Sequence, residues 1–422
     1  MSDVLQISSM CNRAGVPVLN QPQLTYILTE INPGMAMSNV RLPLNFALVL
    51  DRSGSMAGAK LNTMKQAVKN IIDQLDPADV ISIVTFETKT QVLVPAQPAT
   101  NKTELKRQVD RIDDGGGTNL AQALREGINQ VEKWHAPERV SRIVLLTDGE
   151  ATDKEDDSRV EAERAGKMNI PMIGLGFGQN WNEKFIIDLA DRSILAAPGS
   201  QSGTADYIPT PQDANRIFQQ VYQSMQVVAQ DVTVTIRMVQ GLEARRVWQV
   251  VPLIKDAGKG VIQGRAIVIP VGQLEKGGVA FLAEIMLPPR PMGVVRIAQT
   301  DVTYNIPGRG QQRQAIDLIV NFSNDPATMN QFNGHVMNIV EKVQAFKLQT
   351  QALDEAELGN VRGATQKLRQ AVTILLSQGD TDLANQMSQE ADRLEQSGQI
   401  SNEGKKTIKL TSRKTVRLSD DD

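Results

Sequence analysis

The sequence is poor in the side chains that form disulfides, zinc sites and aromatic surfaces. Its 422 residues include one cysteine and two histidines, and aromatic residues make up 4%. A single cysteine, Cys11, excludes an internal disulfide and a cysteine-cluster zinc site. His135 and His335 are too few for a histidine-rich metal centre. The net charge is only −3, so no overall basic field attracts nucleic acid or anionic lipid.

Long apolar runs and several catalytic motifs are also missing. No run reaches the roughly 18 apolar residues that span a bilayer. The N-terminal residues show no basic region followed by an apolar stretch, as a secretory leader would. We therefore expect a protein of the reducing cytoplasm that does not contact membranes. The sequence has no Walker-type phosphate loop, no His-Glu-x-x-His and no Gly-x-Ser-x-Gly, so we expect no enzymatic activity.

Residues 45–230 alternate between short apolar runs and amphipathic segments. The runs begin at Phe46, Val80, Arg142 and Ile170 and consist mainly of Val, Ile and Leu. Such runs are typical of parallel strands that are buried on both faces. Between them, apolar residues recur at spacings of three and four, as in helices that pack on a sheet. The pattern predicts a doubly wound, mostly parallel α/β domain.

The hydrophobic period changes to two after residue 230. Apolar and polar residues alternate at 232–238, and similar runs separated by Gly and Pro continue to residue 322. They predict an antiparallel β-sandwich. Residues 1–44 are also strand-like but too short to bury a core alone. We therefore expect 1–44 and 231–322 to form one discontinuous sandwich, into which the α/β domain is inserted.

The remaining residues divide into a helical segment and a polar tail. Asp325-Pro326 has the pattern of a helix N-cap followed by proline at the first helical position. Residues 325–398 predict a helical hairpin or a three-helix unit. Residues 399–422 are polar and lack aromatics, which predicts disorder. We assign no role to the loop 193–205.

Oxygen-bearing side chains follow two of the predicted strands. Asp51, Ser53 and Ser55 come after the first apolar run, Asp148 comes after the run that begins at residue 142, and Thr118 follows three glycines. Ligands of doubly wound sheets bind outside the carboxyl ends of the strands, so we expect these side chains to meet there. Two carboxylates and three hydroxyls suit Mg²⁺, Ca²⁺ or Mn²⁺ better than Zn²⁺ or Cu²⁺. With few anionic ligands, the ion would accept a further carboxylate.

Asp-x-Ser-x-Ser, a later Thr and a later Thr-Asp-Gly together resemble the metal-ion-dependent adhesion site of von Willebrand factor A (VWA) domains. The resemblance implies that Asp51, Ser53, Ser55 and Thr118 hold the ion directly or through water, and that Asp148 acts largely through water. It also implies a protein partner that supplies an Asp or Glu as the last ligand. The flanking segments resemble those of bacterial cytoplasmic proteins with an internal A domain. In that compartment we expect Mg²⁺, with Ca²⁺ and Mn²⁺ as alternatives.

These features favour a metal-dependent protein-binding or scaffold protein. The alternative is an accessory VWA subunit of an AAA+ ATPase of the MoxR or chelatase-like type, and the missing leader disfavours a surface adhesin. In the tail, KKTIKL (405–410) recurs as RKTVRL (413–418). Thr407 and Thr415, each with a leucine three residues later, resemble peptides that forkhead-associated domains bind after phosphorylation. This predicts a Ser/Thr kinase and a phosphothreonine-reading partner, with a solvated basic arm as the alternative.

Overall fold

The computed structural model describes residues 4–37, 41–149, 155–194, 204–306 and 308–413. Within these ranges the strands are β1 (Leu5–Cys11), β2 (Gly15–Pro17), β3 (Gln23–Pro33), β4 (Leu44–Asp51), β5 (Val80–Phe86), β6 (Thr90–Pro98), β7 (Val140–Thr147), β8 (Met172–Phe177), β9 (Thr204–Ile208), β10 (Val227–Met238), β11 (Glu243–Val251), β12 (Lys255–Asp256), β13 (Ile262–Gln263), β14 (Ala266–Glu275), β15 (Val279–Leu287), β16 (Gly293–Ile306) and β17 (Gly310–Ser323).

The α-helices in the same ranges are α1 (Ala59–Gln74), α2 (Lys102–Asp110), α3 (Leu120–Glu132), α4 (Glu155–Lys167), α5 (Glu183–Arg192), α6 (Ala214–Ser224), α7 (Pro326–Met329), α8 (Gly334–Glu357), α9 (Val361–Ser377), α10 (Thr381–Ser397) and α11 (Asn402–Lys406). A π-helical turn, Thr407–Thr411, follows α11. The chain divides into two compact units. The α/β unit is Val40–Val228, and the sandwich unit combines Met1–Asn39 with Ala229–Asp422.

The α/β unit is built on a six-stranded sheet with the order β6-β5-β4-β7-β8-β9. The neighbouring strands are parallel except at the edge, where β6 runs antiparallel to β5. Every residue of β4, β5 and β7 is buried because helices cover both faces of the sheet. Phe46 and Leu48 belong to a core cluster with residues of α1 and α6, whereas Val49 faces Gly127 of α3. The predicted doubly wound α/β class is confirmed.

Helix α1 shows how the sequence pattern produces this packing. Leu61, Met64, Val68 and Ile71 recur at spacings of three and four, and all four are buried against the sheet. The helix is preceded by Gly58, whose φ of 77° lies in the left-handed region that glycine tolerates. This turn lets the chain leave β4, pass through the short 3₁₀ turn Gly54–Met56 and enter α1 within a few residues. The edge of the sheet therefore lies directly beside the start of a helix.

The sandwich unit contains a five-stranded sheet, β1-β3-β15-β11-β12, and a six-stranded sheet, β13-β14-β10-β16-β17-β2. The N-terminal strand β3 pairs antiparallel with β15, and Leu28 lies opposite Leu282. Strand β10 buries Val232, Val234 and Ile236 at alternate positions, as its period of two predicts. The N-terminal segment thus completes a sheet whose other strands come from residues after 229.

Helices α8, α9 and α10 follow in the same unit, which agrees with the predicted C-terminal helical segment. Asp325 caps α7 by accepting a hydrogen bond from the Ala327 N–H, and Pro326 occupies the first helical position. Helix α8 packs Val336 and Ile339 against Trp248 of the first sheet. None of the helices in the described ranges combines the length with the apolar composition that a membrane-spanning segment needs.

The tail differs from its prediction over the part that the structure describes. Residues 399–422 were expected to be disordered, but α11 and the π-helical turn are ordered and packed. Ile408 joins the core cluster of α8, α9 and α10, Leu410 is buried, and the Ile254 N–H donates a hydrogen bond of 2.7 Å to the Arg413 carbonyl. A few well-spaced apolar residues suffice to fix the segment, although its average composition is polar. Thr415 lies outside the described residues.

We expect Leu410→Ala to lower the free energy of unfolding by about 2 to 5 kcal/mol, because it would leave a cavity in a packed core. Leu410 is 3% exposed, whereas Leu358, at the end of α8, is 85% exposed and provides a matched control. Leu358→Ala should change the free energy by less than about 0.5 kcal/mol. Urea denaturation followed by helical circular dichroism measures both variants. If both substitutions change the free energy of unfolding by equally small amounts, the prediction of a disordered tail is favoured instead.

Candidate metal site

The two acidic residues of the candidate site come from neighbouring central strands. Asp51 is the last residue of β4, and Asp148 follows the last residue of β7. The two strands run parallel with Leu50 opposite Leu146, so both acidic residues emerge at the same edge of the sheet. Asp51 is 0% and Asp148 is 1% exposed. The structure thus brings together two buried carboxyl groups that are almost 100 positions apart in the chain.

Two serine hydroxyls and one backbone N–H connect these carboxylates in one hydrogen-bonded chain. The Ser55 hydroxyl donates to Asp148 Oδ1 at 2.6 Å, and the hydroxyls of Ser53 and Ser55 are 3.1 Å apart. Asp51 accepts from the Ser53 backbone N–H at Oδ1 over 2.8 Å and from the Thr147 hydroxyl at Oδ2 over 2.7 Å. Four of the five predicted site residues therefore belong to a single cluster of oxygen atoms.

The fifth predicted residue, Thr118, follows a glycine loop that is bonded to the first motif. The Gly115 N–H donates to the Arg52 carbonyl at 2.9 Å, and the Gly54 N–H donates to the Gly116 carbonyl at 3.3 Å. Gly116 has a φ of 60°, and a Cβ there would clash with the Glu87 carboxylate. The loop can therefore approach the first motif because residue 116 is a glycine. It ends at Thr118, which is buried.

The electrostatics of the cluster favour a bound cation. Burial raises the pKa of Asp51 above its ordinary value, and the nearby negative charge of Asp148 adds to this effect. Hydrogen bonds from Ser53 and Thr147 lower the pKa and so offset part of the increase. Two carboxylates that are removed from water at one sheet edge are costly unless positive charge reaches them.

The structure also shows residues that the sequence interpretation did not assign to the site. The Lys60 ammonium, in the first turn of α1, forms an ion pair with Asp148. Thr147 belongs to the Thr-Asp-Gly motif, but the sequence gives no sign of its bond to Asp51. Arg52, which follows Asp51 in the chain, pairs with Glu87 at 3.2 Å. One signal was available for Lys60, since a cation is disfavoured at a helix N-terminus and its presence there calls for a partner.

The donor set fits a hard divalent cation. In the described part of the chain, no group of three or more His, Cys, Asp or Glu residues could hold a metal. The cluster instead offers two carboxylates together with the hydroxyls of Ser53 and Ser55, and Thr118 follows the adjoining loop. Oxygen donors of this kind suit Mg²⁺, Mn²⁺ or Ca²⁺.

Comparisons with known proteins agree with this architecture. Residues 45–201 match the family model of the von Willebrand factor type A domain. Residues 334–418 match the model described as the Sll0103-like, C-terminal alpha-helical domain. The chain therefore carries a VWA domain, as the motif resemblance implied. Residues 399–413, predicted to be disordered, lie entirely within the second match.

The chain is similar to several known proteins. It is 35% identical over 186 residues to protein sll0103 of Synechocystis sp., and this alignment covers 44% of this chain and 42% of that protein. It is 35% identical over 163 residues to human inter-alpha-trypsin inhibitor heavy chain H3, covering 35% of this chain and 18% of that protein. The matches thus span less than half of these relatives. A solved von Willebrand factor type A structure from Catenulispora acidiphila has a TM-score of 0.73 at 18% identity and covers 99% of this chain and 98% of its own, which shows the shared fold.

We expect Asp51→Asn to raise the melting temperature of the metal-free protein at neutral pH. A raised pKa in the folded state means that the folded protein binds the proton more tightly than the unfolded chain. Stability therefore falls as the pH rises from the unfolded pKa of about 4 through the raised value. Asparagine cannot ionise, yet its amide can still bond Ser53 and Thr147.

Thermal melts in EDTA between about pH 4 and pH 8 test this expectation. Asp156→Asn is the control, because that side chain is 89% exposed. The difference in melting temperature between Asp51→Asn and the wild type should widen as the pH rises. The corresponding difference for Asp156→Asn should not. A difference in melting temperature for Asp51→Asn that does not change with pH would contradict the proposed ionisation of the Asp51 carboxyl group.

Proposed function

We propose that this chain is a non-enzymatic, metal-dependent protein-binding or scaffold protein of the bacterial cytoplasm. One divalent ion, Mg²⁺ in that compartment, binds to Asp51, Ser53, Ser55, Thr118 and Asp148. The ion accepts an Asp or Glu side chain of a partner protein as a further ligand. The observation that carries the proposal is the chain of hydrogen bonds that runs from the buried Asp51 and Ser53 through the exposed Ser55 to the buried Asp148. The presence of a VWA domain supports a role in protein–protein interaction.

The charge of this donor set explains why the ion would bind a partner. The hydroxyls are neutral, so the charge of the donors comes from Asp51 and Asp148 alone. Both carboxylates already accept hydrogen bonds, which reduces their ability to neutralise an ion. A divalent ion held by such donors remains attractive to an external carboxylate. The hard oxygen of Asp or Glu is also the ligand type that Mg²⁺ prefers.

We expect one Mg²⁺ per chain and a stabilisation that follows RT ln(1 + [L]/Kd), about 2.7 kcal/mol at a hundredfold excess over Kd. Isothermal titration and thermal melts with Mg²⁺ and with EDTA measure both quantities. Asp51→Ala should abolish the binding, and Asp156→Ala, on an exposed side chain, should retain it. Identical melts with and without Mg²⁺, and no heat of binding, would refute the metal site.

The same pair of variants tests the partner side of the proposal. The wild-type chain should recover a partner from cell extract in Mg²⁺ but not in EDTA, and Asp51→Ala should recover it in neither. Asp156→Ala should behave like the wild type. Substituting candidate Asp and Glu residues of the partner then identifies the carboxylate. If the partner proves to be an AAA+ ATPase, the accessory-subunit alternative is favoured.

The second element of the proposal is a link to Ser/Thr kinases and a phosphothreonine-reading domain. Of the two predicted phosphorylation sites, only Thr415 is retained. Thr407, the other predicted modification site, is buried in the π-helical turn between Lys406 and Ile408, which are buried too. A phosphate there would place nearly two negative charges inside a packed segment. Thr407 is therefore unsuited to modification in the folded protein. Thr415 repeats the same motif, with Leu418 three residues later.

We expect a Ser/Thr kinase that acts on the folded chain to phosphorylate Thr415 and not Thr407. Mass spectrometry of the treated protein locates the phosphate, and Thr415→Ala should remove it. The modified chain, unlike Thr415→Ala, should bind a forkhead-associated domain. Phosphate on Thr407 of the folded protein, or equal binding by Thr415→Ala, would contradict this element without affecting the metal site.

A further inference from the structure

Lys60 places a positive charge inside the candidate metal site. It is the second residue of α1, and its ammonium forms an ion pair with Oδ2 of Asp148. The same ammonium donates to the Ser55 carbonyl at 3.3 Å. The Asp148 side chain is fully buried, whereas that of Lys60 is 29% exposed. The lysine therefore covers the carboxylate on the side that leads to solvent.

Two further features show that this position belongs to the site and is not an ordinary surface contact. A cation in the first turn of a helix opposes the helix dipole, so α1 alone does not favour lysine there. The turn after β8 lies beside the side chain, and a Cβ on Gly178 would contact both Cε and Nζ of Lys60 at 3.6 Å. The carboxylate of Asp148, the carbonyl of Ser55 and this turn thus surround the ammonium group.

The other oxygen of Asp148 belongs to the hydroxyl chain. Oδ1 accepts from Ser55, and Oδ2 faces Lys60. A divalent ion that draws on Asp148, directly or through water, needs one of these oxygens. It would also bring two positive charges close to the ammonium. A cation at Lys60 and a cation in the hydroxyl cluster therefore compete for the same carboxylate.

We propose that Lys60 is the resident counter-cation of Asp148, which stabilises the metal-free site and competes with the divalent ion. This inference rests on the proposed metal-binding function. Without the ion, the charges of Asp51, Asp148 and Lys60 sum to −1, and with it they sum to +1. The lysine thus weakens the binding of the ion. It also makes the occupied site more attractive to a carboxylate of the partner.

The test compares Mg²⁺ affinity in wild type, Lys60→Met and Lys65→Met by isothermal titration at low ionic strength. Methionine keeps the length of the side chain but removes its charge. Lys65 lies on the same helix, and its ammonium bonds the Asp110 carbonyl outside the site. We expect Lys60→Met to bind Mg²⁺ about tenfold more tightly, the order expected for removing one nearby charge. Lys65→Met should bind like the wild type.

Thermal melts provide a readout that does not depend on metal affinity. In EDTA, Lys60→Met should melt below the wild type, because Asp148 loses its counter-charge. Saturating Mg²⁺ should narrow this difference. If Lys60→Met folds only in Mg²⁺, that result supports the inference, because the ion then replaces the missing cation.

A measurement on the wild-type protein needs a variant only to assign the signal. In protein with ¹³C-labelled lysine, the Cε resonance of Lys60, assigned by its loss in Lys60→Arg, should shift when Mg²⁺ is added. The Lys65 resonance should not shift.

The outcomes separate this inference from the proposed function. If the wild type binds Mg²⁺ and Lys60→Met binds it equally or more weakly, the Lys60 inference fails and the metal site stands. If only Lys60→Met binds Mg²⁺, the competition is supported, but the metal-dependent function proposed for the wild type fails. If neither protein binds a divalent ion, both proposals fail.

Discussion

The parallel pairing of β4 with β7 is the constraint on which the candidate site depends. Their register sets Leu50 opposite Leu146, so each strand delivers its next polar residues to the same sheet edge. Asp51 can then accept a bond from Thr147, and Asp148 follows immediately. Both strands are wholly buried, and the apolar packing that fixes them also removes two carboxylates from water. The fold thus buries two carboxylates. Hydroxyls, a backbone N–H and the Lys60 ammonium compensate part of the cost of removing them from water.

Much of this architecture could be predicted because its determinants are local. Strands buried on both faces need continuous runs of Val, Ile and Leu, and β4, β5 and β7 contain them. Helix α1 shows its buried face through spacings of three and four. The positions of Asp51 and Asp148 follow from these runs, because both residues stand directly after a buried strand. The family model and the neighbouring fold confirm the domain type, whereas the use of the five side chains for a metal stays a prediction.

The contacts that were missed are the ones that depend on three-dimensional adjacency. Nothing in the local pattern shows that Lys60 reaches Asp148, since they are joined only when α1 starts beside the end of β7. The prediction of a disordered tail was wrong for a different reason. Disorder was inferred from average polarity, but Ile400 and Ile408 join the core cluster of α8, α9 and α10, and Leu410 is buried. The polar residues Lys406 and Thr407 are buried with them. Composition averages over a segment, whereas packing depends on individual positions.

The balance of charge in the cluster has a consequence for how such a site could distinguish its partners. When the net charge of the site changes from −1 to +1, its interaction with an approaching carboxylate changes from repulsion to attraction. A unit charge at about 4 Å contributes roughly 4 kcal/mol at the effective dielectric constant of a protein surface, so a reversal of sign separates attraction from repulsion. Without the lysine, the same ion would only bring the two carboxylates to neutrality. The ion adds two positive charges with or without the lysine, so the ammonium at the start of α1 leaves the size of the change unaltered. It sets the net charge of the occupied site at +1 instead of 0, at which an approaching carboxylate is attracted.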